Sequence, residues 1–153
     1  MSSDSHSLLA RDYKFFEQAR RTALQSDFKT KIGAVAVYGG KVIASAASSE
    51  KTSPLQMKYN RFRDFAIDCA DCLPKVHAEI ALVNKLRKMD GVDFKRVTVY
   101  IFRICKSREM GMARCCPGCM KALEDLGVRM IAYSTDRGFA KEWIGVGFKK
   151  VGA

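Results

Sequence analysis

The sequence predicts an α/β fold in which a mixed sheet carries helices on its faces. One segment, KIGAVAVYGGKVIASAAS, has two β-favouring runs around a Gly-Gly pair and predicts a β-hairpin. Two later segments, RVTVYIFRI and VRMIAYST, predict further strands, and a helical pattern precedes each of them. Strands joined through helices are normally parallel, so we expect parallel pairing to be added to the antiparallel hairpin.

The first element is an amphipathic helix, predicted for residues 8–25. Its apolar face is expected to comprise Leu9, Tyr13, Phe16, Ala19 and Ala23. Beyond the hairpin, residues 49–75 are charged and interrupted by Pro54 and Pro74, and there we expect a long irregular loop containing a helical turn at most.

A second helix is predicted for residues 76–89, with Ile80, Val83 and Leu86 on its inner stripe and Asp90 and Gly91 at its end. RVTVYIFRI is almost continuously apolar, as expected of a central strand covered on both faces.

A third helix is expected to begin at Pro117, a position that tolerates the missing N–H, and to end near Leu126 before Gly127. In the tail, about residues 136–153, we expect a short helix around Trp143 and a last edge strand. The whole chain, 1–153, is interpreted as a single domain.

Composition excludes several classes of protein. The chain has 153 residues, 48% of them apolar, and no run approaches the roughly 18 apolar residues of a membrane span. Because the first residues lack a basic region followed by an apolar core, we expect no secretory signal and a cytoplasmic protein. Thiols stay reduced there, so the six cysteines indicate metal binding or catalysis before disulfides.

The net charge of +11 indicates either a soluble basic surface or a surface that binds phosphate. Three aromatic residues, Tyr59, Phe62 and Phe65, lie within the basic segment KYNRFRDF. They either stack on bases of a single-stranded nucleic acid or anchor the loop to the core.

The stretch RCCPGCMKAL contains Cys116 and Cys119 at the start of a predicted helix, so both sulfurs can bind one ion. His77 begins another helix and can supply a nitrogen ligand. Three protein ligands leave one tetrahedral position open, as in catalytic zinc sites, where the metal acidifies a bound water. Glu79, two residues after His77, can exchange protons with that water without binding the metal.

The spacing H-x-E followed by C-x-x-C is typical of zinc nucleobase deaminases. With HAEI at 77–80 and CPGC at 116–119, the chain resembles the zinc-dependent cytidine/deoxycytidylate deaminase superfamily. KIGAVAV, GGKVI, KTSPL and GMARCCPGC are similar to segments of the small phage and bacterial deoxycytidylate-type members. The resemblance implies a three-layer helix–sheet–helix sandwich with about five strands in the order 2-1-3-4-5.

The same resemblance implies that zinc is bound by His77, Cys116 and Cys119, that Glu79 transfers protons, and that the chain forms a homo-oligomer. Cys115 stands where the family usually has proline, and it competes with Cys116 as a ligand. The expected substrate contacts are Ser48, which occupies the place of a sugar-binding asparagine, Ala78, Arg103 and Arg114. The basic loop between the two arginines is expected to lie beside the pocket and to bind phosphate.

A second Cys-x-x-Cys, Cys69 and Cys72, allows two other interpretations. Both pairs together would make a structural zinc ribbon, but the 43 residues between Cys72 and Cys116 exceed the usual spacing. Alternatively, Cys69 and Cys72 contribute to a second structural zinc site, or they are free thiols.

Three functional hypotheses follow. The first is a deaminase that converts cytosine to uracil in a free (deoxy)cytidine nucleotide. The second keeps the chemistry but acts on cytosine in single-stranded DNA or RNA, or on tRNA adenosine. The third is a zinc-binding interaction domain without catalytic activity.

Overall fold

The computed structural model describes residues 8–51, 53–62, 77–106 and 110–145. Its helices are α1 (Ala10–Ala23), α2 (Pro54–Asn60), α3 (Ala78–Leu86) and α4 (Pro117–Leu126). Its strands are β1 (Ile32–Tyr38), β2 (Lys41–Ala47), β3 (Thr98–Arg103), β4 (Met130–Ser134) and β5 (Phe139–Trp143), and a 3-10 turn spans Phe94–Arg96. The predicted α/β class is confirmed.

The five strands form one mixed sheet in the order β2-β1-β3-β4-β5, which confirms the order implied by the resemblance. β1 is antiparallel to both β2 and β3, β3 and β4 are parallel, and β5 is antiparallel to β4. Gly39 and Gly40 connect β1 to β2 with φ of 60° and 79°. A two-residue hairpin turn with positive φ at both positions favours glycine, as the sequence predicted.

Alternate residues of the strands build two separate apolar cores, one on each face of the sheet. Val99 and Ile101 of β3 belong to the larger core, which includes residues of α3 and α4. Tyr100 and Phe102 face the opposite way, into the core formed with α1. The period of two along each strand therefore separates a layer containing α3 and α4 from a layer containing α1.

The predicted apolar face of α1 is partly wrong. Leu9 and Tyr13 are 45% and 52% exposed, whereas Asp12 and Phe15 are buried together with Phe16. Asp12 faces inward because its carboxylate accepts hydrogen bonds from the Tyr100 hydroxyl and from the Leu9 backbone N–H. Hydrophobic periodicity cannot register a buried polar residue, so the predicted stripe was rotated around the helix.

α1 approaches β1 closely at Gly33. A Cβ atom on Gly33 would overlap the backbone of Ala19 and Ala23. The absence of a side chain at this position allows the helix to lie directly against the strand.

The segment after the hairpin holds more structure than the sequence indicated. We predicted a loop with a helical turn at most, but α2 runs from Pro54 to Asn60. Pro54 is at the first turn of the helix, where no N–H is needed, and the Ser53 hydroxyl accepts a bond from the Gln56 N–H at 3.4 Å. Pro54 therefore begins a helix instead of interrupting a loop.

The tail contains the predicted edge strand, β5, but the helix predicted around Trp143 is wrong. Trp143 is the last residue of β5 and lies opposite Met130 of β4. Cross-strand pairing with β4 decides this conformation, and local sequence does not reveal that pairing. Among the described residues, no helix has the length and hydropathy that crossing a membrane requires.

Candidate metal and proton-transfer site

His77 lies immediately before α3, where its backbone is extended (φ −77°, ψ 154°) and it acts as the N-cap. Its carbonyl accepts the Ala81 N–H at 3.0 Å, which begins the helix. Its own N–H donates to the side-chain oxygen of Gln56 in α2 at 2.9 Å. Both the N–H and the carbonyl of His77 are thus hydrogen-bonded, which fixes the backbone position from which the imidazole extends.

Cys116 is the N-cap of α4, and its sulfur accepts the Cys119 N–H at 3.5 Å. Pro117 takes the first helical position. With this geometry the side chains of Cys116 and Cys119 lie on the same side of the helix start. Cys119 is buried and Cys116 is partly exposed.

The start of α4 is attached to the carboxyl ends of β3 and β4 through Ser134. The buried Ser134 hydroxyl donates to the Gly111 carbonyl at 2.7 Å and accepts the Arg103 N–H at 3.1 Å. The Ala113 N–H donates to the Ser134 carbonyl at 2.9 Å. These bonds place the segment that leads into Cys116 at the carboxyl ends of parallel strands, where α/β proteins usually bind ligands.

The two helix starts bring one nitrogen and two sulfurs together. The Nδ1 of His77 lies 3.2 Å from the Sγ of Cys119 and 3.6 Å from the Sγ of Cys116. All three atoms lie within 4.8 Å of one another. Zinc bonds of the usual length at a tetrahedral angle would separate a nitrogen and a sulfur by about 3.5 Å. The residues therefore fit one zinc ion, with a fourth position that no described residue fills.

The two thiols differ electrostatically. The hydrogen bond with Cys119, assisted by His77, lowers the pKa of Cys116 to about 4, so Cys116 is a thiolate at neutral pH. Burial raises the pKa of Cys119 well above its ordinary value. A bound divalent cation favours the deprotonated form of a coordinating thiol. The donor set is thus suited to a cation, with one sulfur already ionised.

Glu79, the candidate acid–base group, lies in the first turn of α3. Its side chain is 4% exposed, and burial raises the pKa of its carboxyl group. Its Oε1 is buried without a hydrogen-bond partner in the described part of the chain. Buried polar atoms normally have a hydrogen-bond partner, so a buried carboxyl oxygen without one requires an explanation. Here an acceptor is available beside the candidate metal ligands, and burial favours the protonated form of its carboxyl group.

Cys115, the expected competitor of Cys116, has a different neighbour. It is buried, and its thiol interacts with the Glu79 carboxylate. The cluster of ligand atoms is formed by His77, Cys116 and Cys119. Ala78, expected as a substrate contact, is the first residue of α3 and is fully buried.

The other expected substrate contacts lie in three different surroundings. The buried Ser48 hydroxyl bonds the Thr30 carbonyl at 2.7 Å and accepts the Ile32 N–H at 3.1 Å. Arg103 is exposed at the end of β3. Arg114 is exposed and forms an ion pair with Glu142 over 2.7 Å. A contact with substrate at these three residues stays a prediction.

Cys69, Cys72 and Phe65 lie outside the described residues, and so does the second zinc site predicted near the two cysteines. Tyr59 and Phe62 are described at the end of α2. Phe62 is 37% exposed, and its ring is 4.9 Å from the Arg61 guanidinium. Tyr59 is buried, and its hydroxyl donates to Asp125 at 2.8 Å.

Sequence reasoning missed Gln56 and Ser134, which hold the two ligand-bearing segments. Gln56 lies in a segment predicted to be irregular. Ser134 lies in a strand that was predicted from its apolar residues, and that pattern assigns no role to the serine. The capping pattern Ser53-Pro54 could have indicated α2. No local pattern indicates that Gln56 contacts a residue 21 positions further along the chain.

Comparisons with known proteins match most of the chain to one family. The family described as "Cytidine and deoxycytidylate deaminase zinc-binding region" matches residues 9–135. No curated protein matches the sequence.

Similar solved structures include the dCMP deaminase of cyanophage S-TIM5. Its apo form aligns with a TM-score of 0.57 and 19% identity over 84% of this chain and 86% of that one. Its complex with dCMP and dUMP gives a TM-score of 0.56, 18% identity and 85% coverage of both chains. A cytidine deaminase from Burkholderia pseudomallei gives 0.57 and 14% over 86% of this chain and 91% of that one. At these identities the likeness shows a shared fold.

Proposed function

Because the chain belongs to the cytidine and deoxycytidylate deaminase zinc-binding family, we propose that it hydrolyses the exocyclic C–N bond of cytosine in a free (deoxy)cytidine nucleotide. Water and cytosine would give uracil and ammonia. The observation that carries this proposal is the convergence of His77, Cys116 and Cys119 beside the unpartnered Oε1 of Glu79.

Zinc, when bound by these three residues, would supply an acidified water at its open position. The chain's own contribution is proton transfer by Glu79. Its carboxylate would take a proton at Oε1 and return it to the nucleobase, from which the amino group leaves as ammonia. Burial favours the protonated form of Glu79 over the carboxylate, which suits a group that must accept a proton during the reaction.

Three observations support a phosphorylated substrate. The net charge of +11 attracts anions, and the exposed Arg103 lies at the carboxyl end of β3, where the segment leading to the metal ligands is attached. The similar S-TIM5 enzyme was crystallised with dCMP and dUMP. The charge of Arg114 is already paired with Glu142 through Nε and Nη2, so Arg103 is the better placed of the two.

A substrate panel tests the proposal. Zinc-loaded protein is incubated with cytidine, deoxycytidine, their mono- and triphosphates, and single-stranded DNA and RNA, and ammonia and uracil are measured. We expect turnover of a free nucleotide. A protein that binds zinc but releases no ammonia from any cytosine compound would instead be a zinc-binding interaction domain.

A polynucleotide substrate is the second candidate function. It is favoured by the exposed ring of Phe62, which lies beneath the Arg61 guanidinium and 6.0 Å from the Lys121 ammonium group. Aromatic rings flanked by cations can stack on single-stranded bases. If this surface binds nucleic acid, affinity for an oligonucleotide falls steeply with salt, and Phe62→Ala weakens it more than Tyr13→Ala, which removes an exposed ring from α1.

Two further features belong to the proposal as expectations from the family. Metal analysis should give one zinc per chain, or two if Cys69 and Cys72 take part in a second site. Light scattering on the zinc-loaded protein should give the mass of a homo-oligomer, and a mass of 17.1 kDa would contradict this.

A further inference from the structure

A cavity lies on the α1 side of the sheet. Its volume is about 180 Å³. Its walls include Arg11 of α1, the Gly39–Gly40 turn, Arg96 before β3, and Lys141 of β5, with Phe15 and Tyr100 among its apolar surfaces. Four elements that are distant in sequence therefore contribute to it.

This cavity is separate from the metal ligands. It adjoins Thr98, the first residue of β3, whereas the segment leading to Cys116 is attached at Arg103, the last residue. It also lies on the opposite face, because Phe15 and Tyr100 belong to the α1 core and Cys119 belongs to the other. A ligand here would not occupy the catalytic pocket.

The cavity walls are strongly basic. Arg11, Arg96 and Lys141 line the cavity, and none of the described lining residues is acidic. Lys141 is already paired, since its ammonium lies 3.3 Å from both carboxylate oxygens of the buried Asp12. Neither Arg11 nor Arg96 forms an ion pair with a residue that the structure describes. Arg11 and Arg96 thus line one concave space, and neither has an ion-pair partner in the described chain.

The ion pair with Asp12 holds Lys141 in place and makes one side of the site rigid. Asp12 is fully buried and also accepts a hydrogen bond from the Tyr100 hydroxyl. Lys141 is itself largely buried, with 12% of its side chain exposed. A cation fixed in this way is preorganised, so little conformational entropy is lost when it contacts a ligand.

Charge and size together identify the ligand class. Guanidinium groups bind phosphate oxygens through paired N–H donors, and a concave cationic site concentrates anions. Pockets for drug-sized ligands usually measure about 300 Å³ or more, so this cavity suits a single phosphate group. We propose that it binds inorganic phosphate or the phosphate of a small monoester, at a site distinct from the metal centre.

Solution NMR on zinc-loaded, ¹⁵N-labelled protein tests this at constant ionic strength. Inorganic phosphate, glycerol 3-phosphate and a single-stranded oligonucleotide are titrated in separate experiments. We expect saturable shifts of the Gly39, Gly40 and Lys141 amide signals with one or both small phosphates. The fluorescence of Trp143, the only tryptophan, provides a second readout, since it lies on the same face of β5 as Lys141.

The decisive variant is Arg11→Gln/Arg96→Gln, in which both exposed guanidinium groups are removed. Because both side chains are exposed, the fold should persist, as the NMR spectrum would show directly. Affinity for phosphate should fall at least about tenfold with the loss of two charge-assisted hydrogen-bonding groups. The control, Arg87→Gln/Lys88→Gln, has the same net charge and changes exposed residues after α3.

Retained phosphate affinity in the control would support the site. Equal losses in both variants would mean that phosphate responds only to net charge, and this would overturn the proposal. The proposal would also be overturned if neither small phosphate shifted these amide signals. If the oligonucleotide alone shifted them, the proposal would likewise fail, and the cavity would be part of a surface that binds polynucleotides.

Discussion

The side-chain oxygen of Gln56 accepts a hydrogen bond from the backbone N–H of His77 over 2.9 Å, and this bond connects α2 to the first proposed metal ligand. Gln56 is completely buried, and its Nε2 donates to the Asn60 side chain at 2.8 Å. The amide is therefore held at both ends, and it satisfies an N–H at the start of α3 that has no partner within the helix.

We predict that Gln56→Met weakens zinc binding by about 10- to 100-fold, because the ligand's backbone loses its orienting partner. Stability should fall by about 1–3 kcal/mol, the usual effect of a buried polar group left unsatisfied. Zinc affinity is measured by competition with a chelator. Gln25→Met, at an exposed position, is the control, and equal zinc affinity in both variants would limit Gln56 to a structural role.

Glu79→Gln is predicted to retain zinc and lose about 10²- to 10⁴-fold in deamination rate, the range attributed to general acid–base catalysis. The substitution preserves shape and removes the titrating proton. The measurements are zinc content and ammonia release under substrate saturation. Glu50→Gln, an exposed glutamate after β2, should keep full activity. Turnover in Glu79→Gln equal to that of the unmodified protein would remove Glu79 from the mechanism.

Gly33→Val should strongly destabilise the protein, because the added side chain would overlap the backbone of Ala19 and Ala23 and push α1 off the sheet. Overpacking commonly reduces the free energy of unfolding by about 1–3 kcal/mol, and a backbone neighbour that cannot move places this case at the upper end. Urea denaturation measures the effect. Gly138→Val is the matched control, since a Cβ atom there meets nothing within 4 Å.

Asp12 is predicted to make stability depend on pH in the acid range. Burial acts to raise the pKa of Asp12, but hydrogen bonds from Tyr100 and Leu9 and the charge of Lys141 hold it below its ordinary value of 3.8. A depressed pKa means that the ionised group stabilises the fold above pH 3.8, and that this contribution is lost as pH falls through the lowered pKa.

Asp12→Asn should therefore flatten this acid dependence. At neutral pH it should reduce stability by about 3–5 kcal/mol, because Lys141 would keep a largely buried charge without its partner. Urea denaturation at pH 7 and at several lower pH values measures both effects. Asp90→Asn, at an exposed position, should leave the pH profile unchanged, and a profile for Asp12→Asn that matches it would contradict the predicted linkage.

The sequence alone was sufficient for the features that depend on local pattern. The Gly39–Gly40 turn, the apolar run of β3 and the start of α4 at Pro117 are each encoded within a few residues, and all three lie where they were predicted. The spacing of HAE and CPGC likewise indicated the family to which the chain belongs. Local sequence is sufficient for these features for two reasons. Backbone geometry restricts which residues fit a turn or a helix start, and ligand chemistry restricts which residues bind a metal.

Only the tertiary structure decided which distant residues meet. The burial of Asp12, the bond from His77 to Gln56 and the strand conformation of Trp143 all depend on partners far away in sequence. So does the basic cavity, whose Arg11, Arg96 and Lys141 come from three separate segments. The physical reason is that a buried polar group or an edge strand is stabilised by a partner from elsewhere in the fold. Local sequence propensities do not indicate which residue or strand that partner is.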